Sequence, residues 1–404
     1  MKSIFRKKCL SCGSKNLNEI INLGDHSFAD RFIPIKRKKI KDPKFPLILD
    51  LCKKCKFIQS KAITNPKDRY VNMDYSYTSA NSTYSKSHWK SFSKILEQET
   101  NIKNKKIIEI GSNDGFLLSI LKKKGAKVLG VDASNFMVNL SKRKKINSVQ
   151  AIFDFKESIK IKNKFGKADI IIANNVFNHS NQPASFLKGI YNILNNKGLF
   201  IFEQPYFLKS LTTLKFDQIY HEHISYFTAR NIDSILKRNS LKIYKIKMNN
   251  YHGGSIRTIA TKENYKKINV NLRKIIKLEN KKNIYNLKFY KKIMYKINNK
   301  KKILLKKIDN LISKNYTIIG IGAGAKSNTF LTYYGLNNNK IKFLTDSSKF
   351  KKNKLTPITR IPIKDDSAIV KINKLACIIL SWNISKMVIK KIKKINNKAI
   401  IIKT

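Results

Sequence analysis

Apolar and polar positions alternate with different periods along the chain, and these periods predict its elements. From residue 71 to about 255, short apolar runs alternate with stretches in which apolar residues recur at helical spacing. This alternation predicts a doubly wound α/β sheet. A second alternating block begins at Tyr316, and its predicted strands cover residues 316–322, 341–345, 376–381 and 399–402. We therefore expect an α/β protein with a central Rossmann-like sheet and a second Rossmann-like sheet at the C-terminus.

The other parts of the chain carry different patterns. Residues 1–70 contain short strand-like runs, such as Phe45–Leu51, between turn residues, which predicts a small N-terminal domain. Residues 263–314 are rich in lysine and place apolar residues at helical spacing, namely Leu272, Ile275, Ile276, Tyr285, Leu287, Tyr290 and Ile293. They predict a helical connector with one packed face rather than a membrane-surface helix. The expected domain limits are 1–70, 71–262, 263–314 and 315–404.

The composition changes this picture little. A chain of 404 residues is longer than one core usually supports, which agrees with several domains. Its formal net charge of +59 would normally indicate a polyanion partner. However, only 10 of the 84 basic residues are arginines, and lysines are spread over every segment together with many asparagines and isoleucines. This spread favours a diffusely solvated surface over a dedicated nucleic-acid face, with weak, unspecific RNA binding at low salt.

No targeting signal is evident in the sequence. The first residues lack the apolar run of a signal peptide, and no uncharged apolar stretch is long enough to span a membrane. We therefore expect a cytoplasmic protein without a membrane partner. In a reducing compartment, closely spaced cysteines bind metal more often than they oxidise.

Two Cys-x-x-Cys pairs predict a zinc site. Cys9 and Cys12 form the first pair, and Cys52 and Cys55 form the second. Each pair places two sulfurs on one tight turn, and two such turns complete a closed tetrahedral shell. Because no ligand position stays open, the zinc is expected to be structural. Cys377 lies in an apolar run and is expected to be a core thiol.

A strand, a glycine-containing turn and a helix are predicted around residues 106–118. The residues of this turn that we expect to bind a nucleoside cofactor are Glu109, Gly111, Asn113, Asp114 and Gly115. Its glycines would allow the backbone to approach a ligand closely. Three glycines are usual in a dinucleotide loop, whereas this turn has two together with acidic residues. Acids suit a cationic sulfonium and repel phosphate, so a methyltransferase is favoured over a dehydrogenase.

The following strands add further cofactor contacts. Asp132 ends the second predicted strand, where an acid can accept hydrogen bonds from both hydroxyls of an adenosine ribose. Asn174 and Asn175 follow the fourth predicted strand, at the same edge of the sheet. His179 lies just beyond them and is expected to line the cleft.

Residues 217–226 concentrate polar side chains in a way that predicts catalysis. Tyr220, His221, Glu222 and His223 are consecutive, and a carboxylate beside an imidazole can raise its basicity. A metal site is the competing interpretation, but the spacing differs from the zinc-protease pattern H-E-x-x-H. A structural hydrogen-bond cluster remains the other alternative. The later run from His252 to Arg257 combines a glycine turn with donors that suit a sugar or a phosphate.

Taken together, these motifs resemble the sugar C-methyltransferases of deoxysugar biosynthesis. The resemblance extends over nearly the whole chain. Its markers are the four cysteines, the turn Glu109–Gly115, the block Tyr220–His223, the run His252–Arg257 and the stretch 322–329. It implies an N-terminal zinc-binding domain, a central methyltransferase domain that binds S-adenosylmethionine, and a C-terminal C-methyltransferase domain.

The resemblance also implies a reaction and residue roles. The reaction is methylation of the carbon beside the ketone of a nucleotide-linked keto-deoxysugar. His223 would be the base, supported by Tyr220, His221 and Glu222, and Tyr75 or Tyr77 would come from a segment that closes over the site. The residues expected to bind the substrate are His252, Arg257, Lys326 and Asn328, with Arg257 and Lys326 contacting the diphosphate. Gly324 and Ser327 depart from the family pattern G-A-P-A-K-G-N.

Two other function classes stay open at this point. The high charge is compatible with a zinc-containing RNA methyltransferase, which would bind RNA selectively at physiological salt. A non-catalytic carrier or assembly protein on the same scaffold is the second alternative, although Asp132, Glu222 and His223 are all present. The sequence does not determine the sugar, the nucleotide or the oligomeric state, and a monomer is favoured.

Overall fold

The computed structural model describes residues 2–71, 78–80, 82–262 and 271–404. Short antiparallel strands dominate its N-terminal part, where β2, β4 and β5 form one sheet. The elements of this part are β1 (Ser3–Phe5), β2 (Leu17–His26), β3 (Ile33–Pro34), β4 (Phe45–Cys52), β5 (Ile58–Ser60), β6 (Ala62–Thr64) and the helix α1 (Pro66–Tyr70). The side chain of Asn65 accepts a hydrogen bond from the Lys67 amide, which caps α1 at its first turn.

The central part holds a seven-stranded sheet with helices between its strands. Its elements are α2 (Thr83–Glu99), β7 (Lys106–Ile110), α3 (Phe116–Lys123), β8 (Lys127–Asp132), α4 (Asn135–Arg143), β9 (Ser148–Gln150), α5 (Phe155–Phe165), β10 (Ala168–Ile172), α6 (Pro183–Ile193), β11 (Leu194–Pro205), α7 (Phe207–Thr212), β12 (Ser225–Tyr226), α8 (Ala229–Lys237), β13 (Leu241–Asn249) and β14 (Ser255–Lys262). The strands of the sheet lie in the order β9-β8-β7-β10-β11-β14-β13.

The order of these strands positions the site. The first five pair in parallel, and β14 runs antiparallel to both of its neighbours. The direction of winding reverses between β7 and β10, and ligands bind at such a switch point outside the carboxyl ends of the strands. The strands are apolar because helices cover both faces of a parallel sheet. Ser134 and Asp154 cap α4 and α5 at this same edge.

A second sheet of five strands forms the C-terminal part. Its elements are β15 (Thr317–Ile321), α11 (Ala325–Tyr334), β16 (Leu344–Thr345), β17 (Lys354–Leu355), β18 (Ile363–Lys364), β19 (Leu375–Ile379), α12 (Ser385–Ile395) and β20 (Ile400–Lys403). The order β18-β16-β15-β19-β20 is parallel throughout and winds like the first five strands of the central sheet. The predicted α/β fold class with two Rossmann-like sheets is therefore confirmed.

Two helices, α9 (Asn271–Lys281) and α10 (Leu287–Ser313), connect the sheets. Tyr290, Ile293, Ile297 and Ile308 bury one face of α10, while its lysines remain in solvent. Among the described residues, no helix combines the length and the apolar character that crossing a bilayer requires.

Strand pairing crosses the predicted domain limits. Ser225 and Tyr226 of β12 pair with Gln59 and Ile58 of β5, so the central chain adds a fourth strand to the N-terminal sheet. β3 likewise pairs with β17 of the C-terminal part. One apolar core runs through all three parts. The limits at residues 70, 262 and 314 stay predictions, because the packed units do not separate at those positions.

Candidate active site

A cavity of about 810 Å³ lies where the three parts meet. The carboxyl ends of β7, β8 and β10 form one wall, and the loops after β15 and β16 form the opposite wall. The N-terminal part contributes Asp30, and the block around Tyr220–His223 closes the space between. A space of this size accommodates a ligand with the dimensions of a nucleotide, and its lining contains many polar groups.

The loop after β7 holds Asp132 in a defined cradle. Gly111 donates its amide to the Val131 carbonyl at 2.7 Å. The two carboxylate oxygens of Asp132 accept the amides of Asn113 at 2.8 Å and Ser134 at 2.9 Å. We call Gly111, Asn113, Asp132 and Ser134 the first cradle. Burial raises the pKa of Asp132 to about 6.

Unpartnered polar atoms surround the first cradle. Within the described residues, Glu109 Oε2 and both polar side-chain atoms of Asn174 are buried without a hydrogen-bond partner, and both residues line the cavity. Burial also raises the pKa of Glu109 well above its usual value. A bound cation that donates hydrogen bonds would satisfy these groups. The amino-acid end and the sulfonium of S-adenosylmethionine provide both features.

Two residues of the predicted loop do not reach the cavity. Asp114 forms an ion pair with Lys144 at 2.7 Å and is not among the lining residues. A Cβ on Gly115 would lie 2.3 Å from Ser141 Oγ. Neither residue is placed at the cavity surface, and the expected ligand contacts of Asp114 and Gly115 stay predictions. The backbone at Gly115 has a φ of 71° and packs against α4, so helix packing explains this glycine.

Gly111 also owes its identity to packing. Its φ is 69°, and a Cβ there would lie 2.8 Å from Val176. Gly111 does line the cavity, together with Asn113 and Asn175. The loop 151–154, which follows β9, lines the cavity beside Asp132 and escaped the sequence analysis. The sequence feature that could have identified this loop is its position directly after the third parallel strand, at the same edge of the sheet as Asp132.

The block of residues 220–223 splits between the cavity and the core. Tyr220, Glu222 and His223 line the cavity. His221 points away: its Nε2 lies 3.1 Å from the Phe45 carbonyl, and its ring contacts Phe28 and Phe45 edge-on. This imidazole therefore anchors the loop to the N-terminal sheet, and the catalytic role expected for His221 stays a prediction that these contacts do not support.

One hydrogen bond fixes the tautomer of His223. Its Nδ1 lies 2.8 Å from the Gln218 carbonyl, which can only accept, so Nδ1 carries the proton. The other ring nitrogen, Nε2, is thereby left as an acceptor. Burial lowers the pKa of His223 to about 3, and the charge of Lys326 contributes to this shift. The imidazole is therefore neutral at physiological pH and able to take up a proton.

Glu222 links the same loop to the N-terminal part. Its Oε1 accepts the amides of Ala29 at 3.0 Å and Asp30 at 3.4 Å, while Oε2 is buried without a partner among the described residues. Burial, followed by the charge of Asp30, raises the pKa of Glu222 to about 7. This carboxyl can change its charge near neutral pH.

His179 is a further cavity residue with a defined partner. Its Nδ1 lies 2.8 Å from the Tyr70 hydroxyl, and its ring centroid lies 5.0 Å from that of His223. Burial raises the pKa of Tyr70, so this phenol keeps its proton and can donate it to Nδ1. In that arrangement Nε2, which is buried without a partner among the described residues, would carry the proton of His179. His179 would then offer the cavity a hydrogen-bond donor.

The four predicted zinc ligands converge. The Sγ atoms of Cys9, Cys12, Cys52 and Cys55 all lie within 4.8 Å of one another. Cys9 and Cys55 are 3.5 Å apart, and Cys12 and Cys52 are 3.6 Å apart. Zinc with four bonds of about 2.3 Å holds its ligands about 3.8 Å apart, so the donor set fits this ion. None of the four cysteines lines the cavity, which agrees with a structural role.

The zinc site is connected to His223 through β5. Gln59 accepts the Leu10 amide of the first cysteine turn at 2.8 Å and pairs with Ser225 of β12. On the next residue of β5, the Ser60 hydroxyl donates to the His223 carbonyl at 3.0 Å. The metal site thus stabilises the strand that positions the candidate base.

The loop after β15 repeats the first cradle. Gly322 donates its amide to the Thr345 carbonyl at 2.7 Å. The carboxylate of Asp346 accepts the amides of Ala323 and Ser348, both at 2.8 Å. We call Gly322, Ala323, Asp346 and Ser348 the second cradle. Asp346 lines the same cavity as Asp132, from the opposite side.

The sequence contains a signal for this repetition that the analysis missed. The second strand of each sheet is followed by a similar pentapeptide, Asp-Ala-Ser-Asn-Phe at 132–136 and Asp-Ser-Ser-Lys-Phe at 346–350. The two phenylalanines, Phe136 and Phe350, contact each other edge-on with ring centroids 5.6 Å apart. The two cradles therefore meet across the cavity through equivalent residues.

The predicted substrate residues have mixed positions. Lys326 lines the cavity, its Nζ lies 4.8 Å from the Trp382 ring centroid, and burial lowers its pKa to about 8. His252 also lines the cavity, and a Cβ on the following Gly253 would meet Trp382 at 2.2 Å. The glycine turn therefore serves domain packing.

Arg257 and Asn328 are placed elsewhere. Arg257 forms an ion pair with Glu203 at 2.6 Å and does not line the cavity. Asn328 donates to the Ala29 carbonyl and is likewise not among the lining residues. The expected substrate contacts of both residues stay predictions that these positions do not support. Tyr75 and Tyr77 lie outside the described residues.

Three family profiles match successive parts of the chain. Residues 9–70 match a family described as "Putative zinc binding domain", residues 87–246 match a "Methyltransferase domain", and residues 250–402 match a "C-methyltransferase C-terminal domain". Together with the converging sulfurs, the first match confirms the predicted structural zinc. The order of the three families is the order that the sequence predicted.

The chain is also similar to individual proteins. C-methyltransferase NovU of Streptomyces niveus is 23% identical over 90% of this chain and 87% of its own length. Among solved structures, magnesium protoporphyrin IX methyltransferase of Synechocystis PCC 6803 with bound SAH aligns with 44% of this chain and 83% of its own at 19% identity and a TM-score of 0.36. The PH0226 protein of Pyrococcus horikoshii OT3 aligns with 48% of this chain and 97% of its own at 15% identity and a TM-score of 0.37.

Proposed function

Because the chain belongs to the S-adenosylmethionine-dependent C-methyltransferases with an N-terminal zinc-binding domain, we propose that it methylates a nucleotide-linked keto-deoxysugar. The acceptor would be the carbon beside the ketone, such as C3 of a 4-keto sugar. One observation supports this proposal most strongly. Tyr220, Glu222 and His223 face a cavity that the first cradle shares with Lys326 and the second cradle.

His223 would act as the base. Its Nε2 is free of a proton because Nδ1 donates to the Gln218 carbonyl. Burial, and to a smaller extent the charge of Lys326, lowers the pKa of this imidazole and would make it a weak base. A substrate diphosphate beside Lys326 would neutralise that charge and so remove the smaller of these two contributions.

The enolate oxygen would be stabilised by neutral donors. A proton beside a carbonyl becomes accessible to a protein base only if the developing oxyanion is held in place. Burial raises the pKa of the Tyr220 phenol well above its usual value, so Tyr220 keeps its proton and can donate it. With its proton on Nε2, His179 would be a second donor close to His223. The free Oε2 of Glu222 would accept a hydrogen bond from a sugar hydroxyl.

The first cradle would hold the methyl donor. Asp132 would bind the ribose hydroxyls, loop 151–154 would flank the adenine, and Glu109 with Asn174 would face the amino-acid end. When bound, S-adenosylmethionine supplies an electrophilic methyl carbon. The contribution of the chain is to hold the acceptor carbon in line with that methyl and to remove the proton that precedes transfer.

Proton removal can be tested separately from methyl transfer. The enzyme, S-adenosylhomocysteine and a panel of nucleotide-linked keto-sugars are incubated in deuterium oxide, and NMR follows exchange beside the ketone. We expect the wild-type protein to exchange hydrogen for deuterium at one carbon beside the ketone. In His223→Gln the rate of this exchange should fall by at least about a thousandfold. His26→Gln is the matched control, because His26 is a buried imidazole outside the cavity. Exchange at the wild-type rate in His223→Gln would refute the assignment.

A further inference from the structure

Helix α1 carries two residues of the N-terminal part to the wall of the active-site cavity. Asn65 caps this short helix and Pro66 occupies its first turn, which fixes the start of the helix directly after β6. Its last two residues are Arg69 and Tyr70. The Arg69 side chain is fully buried, and Tyr70 lines the cavity. We call Arg69 and Tyr70 the brace, because both contact the segments that carry the candidate catalytic imidazoles.

The Arg69 guanidinium connects two loops of the central part. Its Nη1 donates to the His221 carbonyl at 3.2 Å, and its Nη2 donates to Asn181 Oδ1 at 2.5 Å. The first acceptor lies two residues before His223, and the second lies two residues after His179. The planar guanidinium presents its donors in a fixed fork, whereas a lysine ammonium is a single donor centre on a flexible stem. An arginine can therefore hold both loops at once.

Tyr70 contacts one of the two imidazoles itself. Its hydroxyl lies 2.8 Å from His179 Nδ1, and the two rings are nearly parallel with centroids 6.0 Å apart. The Arg69 guanidinium carbon lies 5.3 Å from the Tyr70 ring centroid, within the range of a cation–π contact. The brace thus holds His179 from the side of the N-terminal part, at a ring distance of 5.0 Å from His223.

The charge of Arg69 also acts on the cavity. Within the described residues, no carboxylate forms an ion pair with this guanidinium, and its Nε is buried without a hydrogen-bond partner. An unpaired buried charge is costly to the fold, so its retention calls for a reason in the site. Burial, followed by the charge of Asp30, raises the pKa of Glu222, and the charge of Arg69 opposes this rise. Arg69 therefore favours negative charge in this region, on Glu222 and on a substrate oxygen that becomes an enolate.

We infer that Arg69 and Tyr70 are positioning residues for methyl transfer, which set the spacing of His179 and His223 and hold the proton of His179 on Nε2. This inference rests on the proposed function for the roles of the two imidazoles. Arg69 does not line the cavity, so it acts through the groups that it holds. The zinc-binding part of the chain then arranges the active site directly, through α1 as well as through β5.

Nitrogen NMR tests the inference without any sugar. The chain has six histidines, so protein labelled with ¹⁵N only in its imidazoles gives a spectrum that a His179→Gln variant can assign. In the wild-type protein with bound S-adenosylhomocysteine, we expect His179 Nδ1 to show the chemical shift of an acceptor and Nε2 that of a protonated nitrogen. In Tyr70→Phe the two shifts should move towards each other, because the tautomers then exchange. Tyr290→Phe is the matched control, since Tyr290 is a fully buried phenol outside the cavity.

Kinetics then distinguishes the brace from a purely structural contact. Deuterium exchange beside the ketone is followed as above in Arg69→Lys and Tyr70→Phe. We expect kcat for exchange to fall about tenfold to a hundredfold in each, with KM changed by less than about threefold, because misplaced donors affect the transition state most. Combining Arg69→Lys with Asn181→Ala should cost less than the two single effects multiplied, since both disrupt one contact. Arg31→Lys changes an arginine of the same part that pairs with Asp42, and it should react at the wild-type rate.

The opposite results would overturn the inference. They are a wild-type His179 with its proton on Nδ1, His179 shifts that stay unchanged in Tyr70→Phe, and wild-type exchange in both brace variants. Binding of S-adenosylhomocysteine shows that Arg69→Lys is folded, and if it is not, Tyr70→Phe alone decides. A protein whose His179 shifts respond as expected but which exchanges no keto-sugar would lose the proposed function and keep the tautomer assignment. A protein that exchanges a keto-sugar equally well in both variants would keep the function and lose the brace.

Discussion

The first and second cradles hold an aspartate through similar backbone contacts but differ in the ionisable side chains around it. The buried carboxyl of Glu109 lies near Asp132, whereas Lys351 Nζ lies 3.9 Å from Asp346 and Lys326 lines the same cavity. In the proposed function, the neighbouring side chains would distinguish a sulfonium, held at the first cradle, from a diphosphate, held beside Lys326.

Reversing the charge at Lys326 is expected to have the largest effect on ligand binding. We expect Lys326→Glu to weaken nucleoside diphosphate binding by about a hundredfold, because a buried attraction becomes a repulsion. Binding of S-adenosylhomocysteine should change by less than about threefold, since Lys326 lies on the wall of the cavity opposite the first cradle. Calorimetry measures both constants. Lys371→Glu makes the same charge change at an exposed site of the C-terminal part and should alter neither.

Removing the zinc would test whether the cradles are independent of the N-terminal part. We expect Cys52→Ser to lower turnover by roughly tenfold to a hundredfold, because β5 and Ser60 position the His223 loop and small misplacements are costly. Neither cradle contacts the cysteines, so both ligands should still bind. Metal content and steady-state rates are measured together. Cys377→Ser, which removes a thiol but no zinc ligand, should keep its zinc; equal turnover in both variants would contradict the link to His223.

A smaller effect is expected on the acidic side. Glu109→Gln removes a buried carboxyl group that lines the cavity near the first cradle and should weaken S-adenosylmethionine binding by about tenfold. Nucleoside diphosphate binding should stay unchanged. If the substitution weakened both ligands equally, the two cradles would not differ in charge preference as described. Titration of each ligand separately gives the answer.

The smallest effect concerns pH. Burial raises the pKa of Asp132 to about 6, so its carboxyl is largely protonated at pH 5 and ionised above pH 7. Only the ionised form accepts hydrogen bonds from both ribose hydroxyls. S-adenosylhomocysteine binding should therefore strengthen by about fivefold from pH 5 to 7 as this proton is released. The pH dependence of its dissociation constant should flatten in Asp132→Asn, and an affinity that instead fell over this range would oppose the assignment.

Local patterns were enough to predict much of the first cradle and the zinc site. Gly111 and Asp132 follow strands whose apolar runs are recognisable in the sequence, and parallel strands bring their carboxyl ends to one edge. The paired cysteines likewise carry their geometry in their spacing. In these cases neighbours along the chain are also neighbours in the ligand shell.

Other contacts depended on packing between distant segments. His221 and His223 are two residues apart, yet one faces the Phe45 carbonyl and the other faces the cavity. Arg257 turns to Glu203 because β11 and β14 pair, which the sequence motif does not encode. The similarity of Asp346 to Asp132 was recognised only in the structure, where both carboxylates accept a backbone amide from the preceding loop. The direction of the side chain, rather than the presence of a motif, determines which of these residues face the cavity.

Simultaneous binding of the cofactor at the first cradle and of a diphosphate beside Lys326 is the central claim, and one titration tests it directly. A nucleoside diphosphate is titrated into protein saturated with S-adenosylhomocysteine and into the free protein. Two separate sites predict full binding in both cases, with one equivalent of nucleotide and dissociation constants within about threefold of each other. Loss of nucleotide binding in the saturated protein would mean that both ligands compete for one site, which would contradict the account.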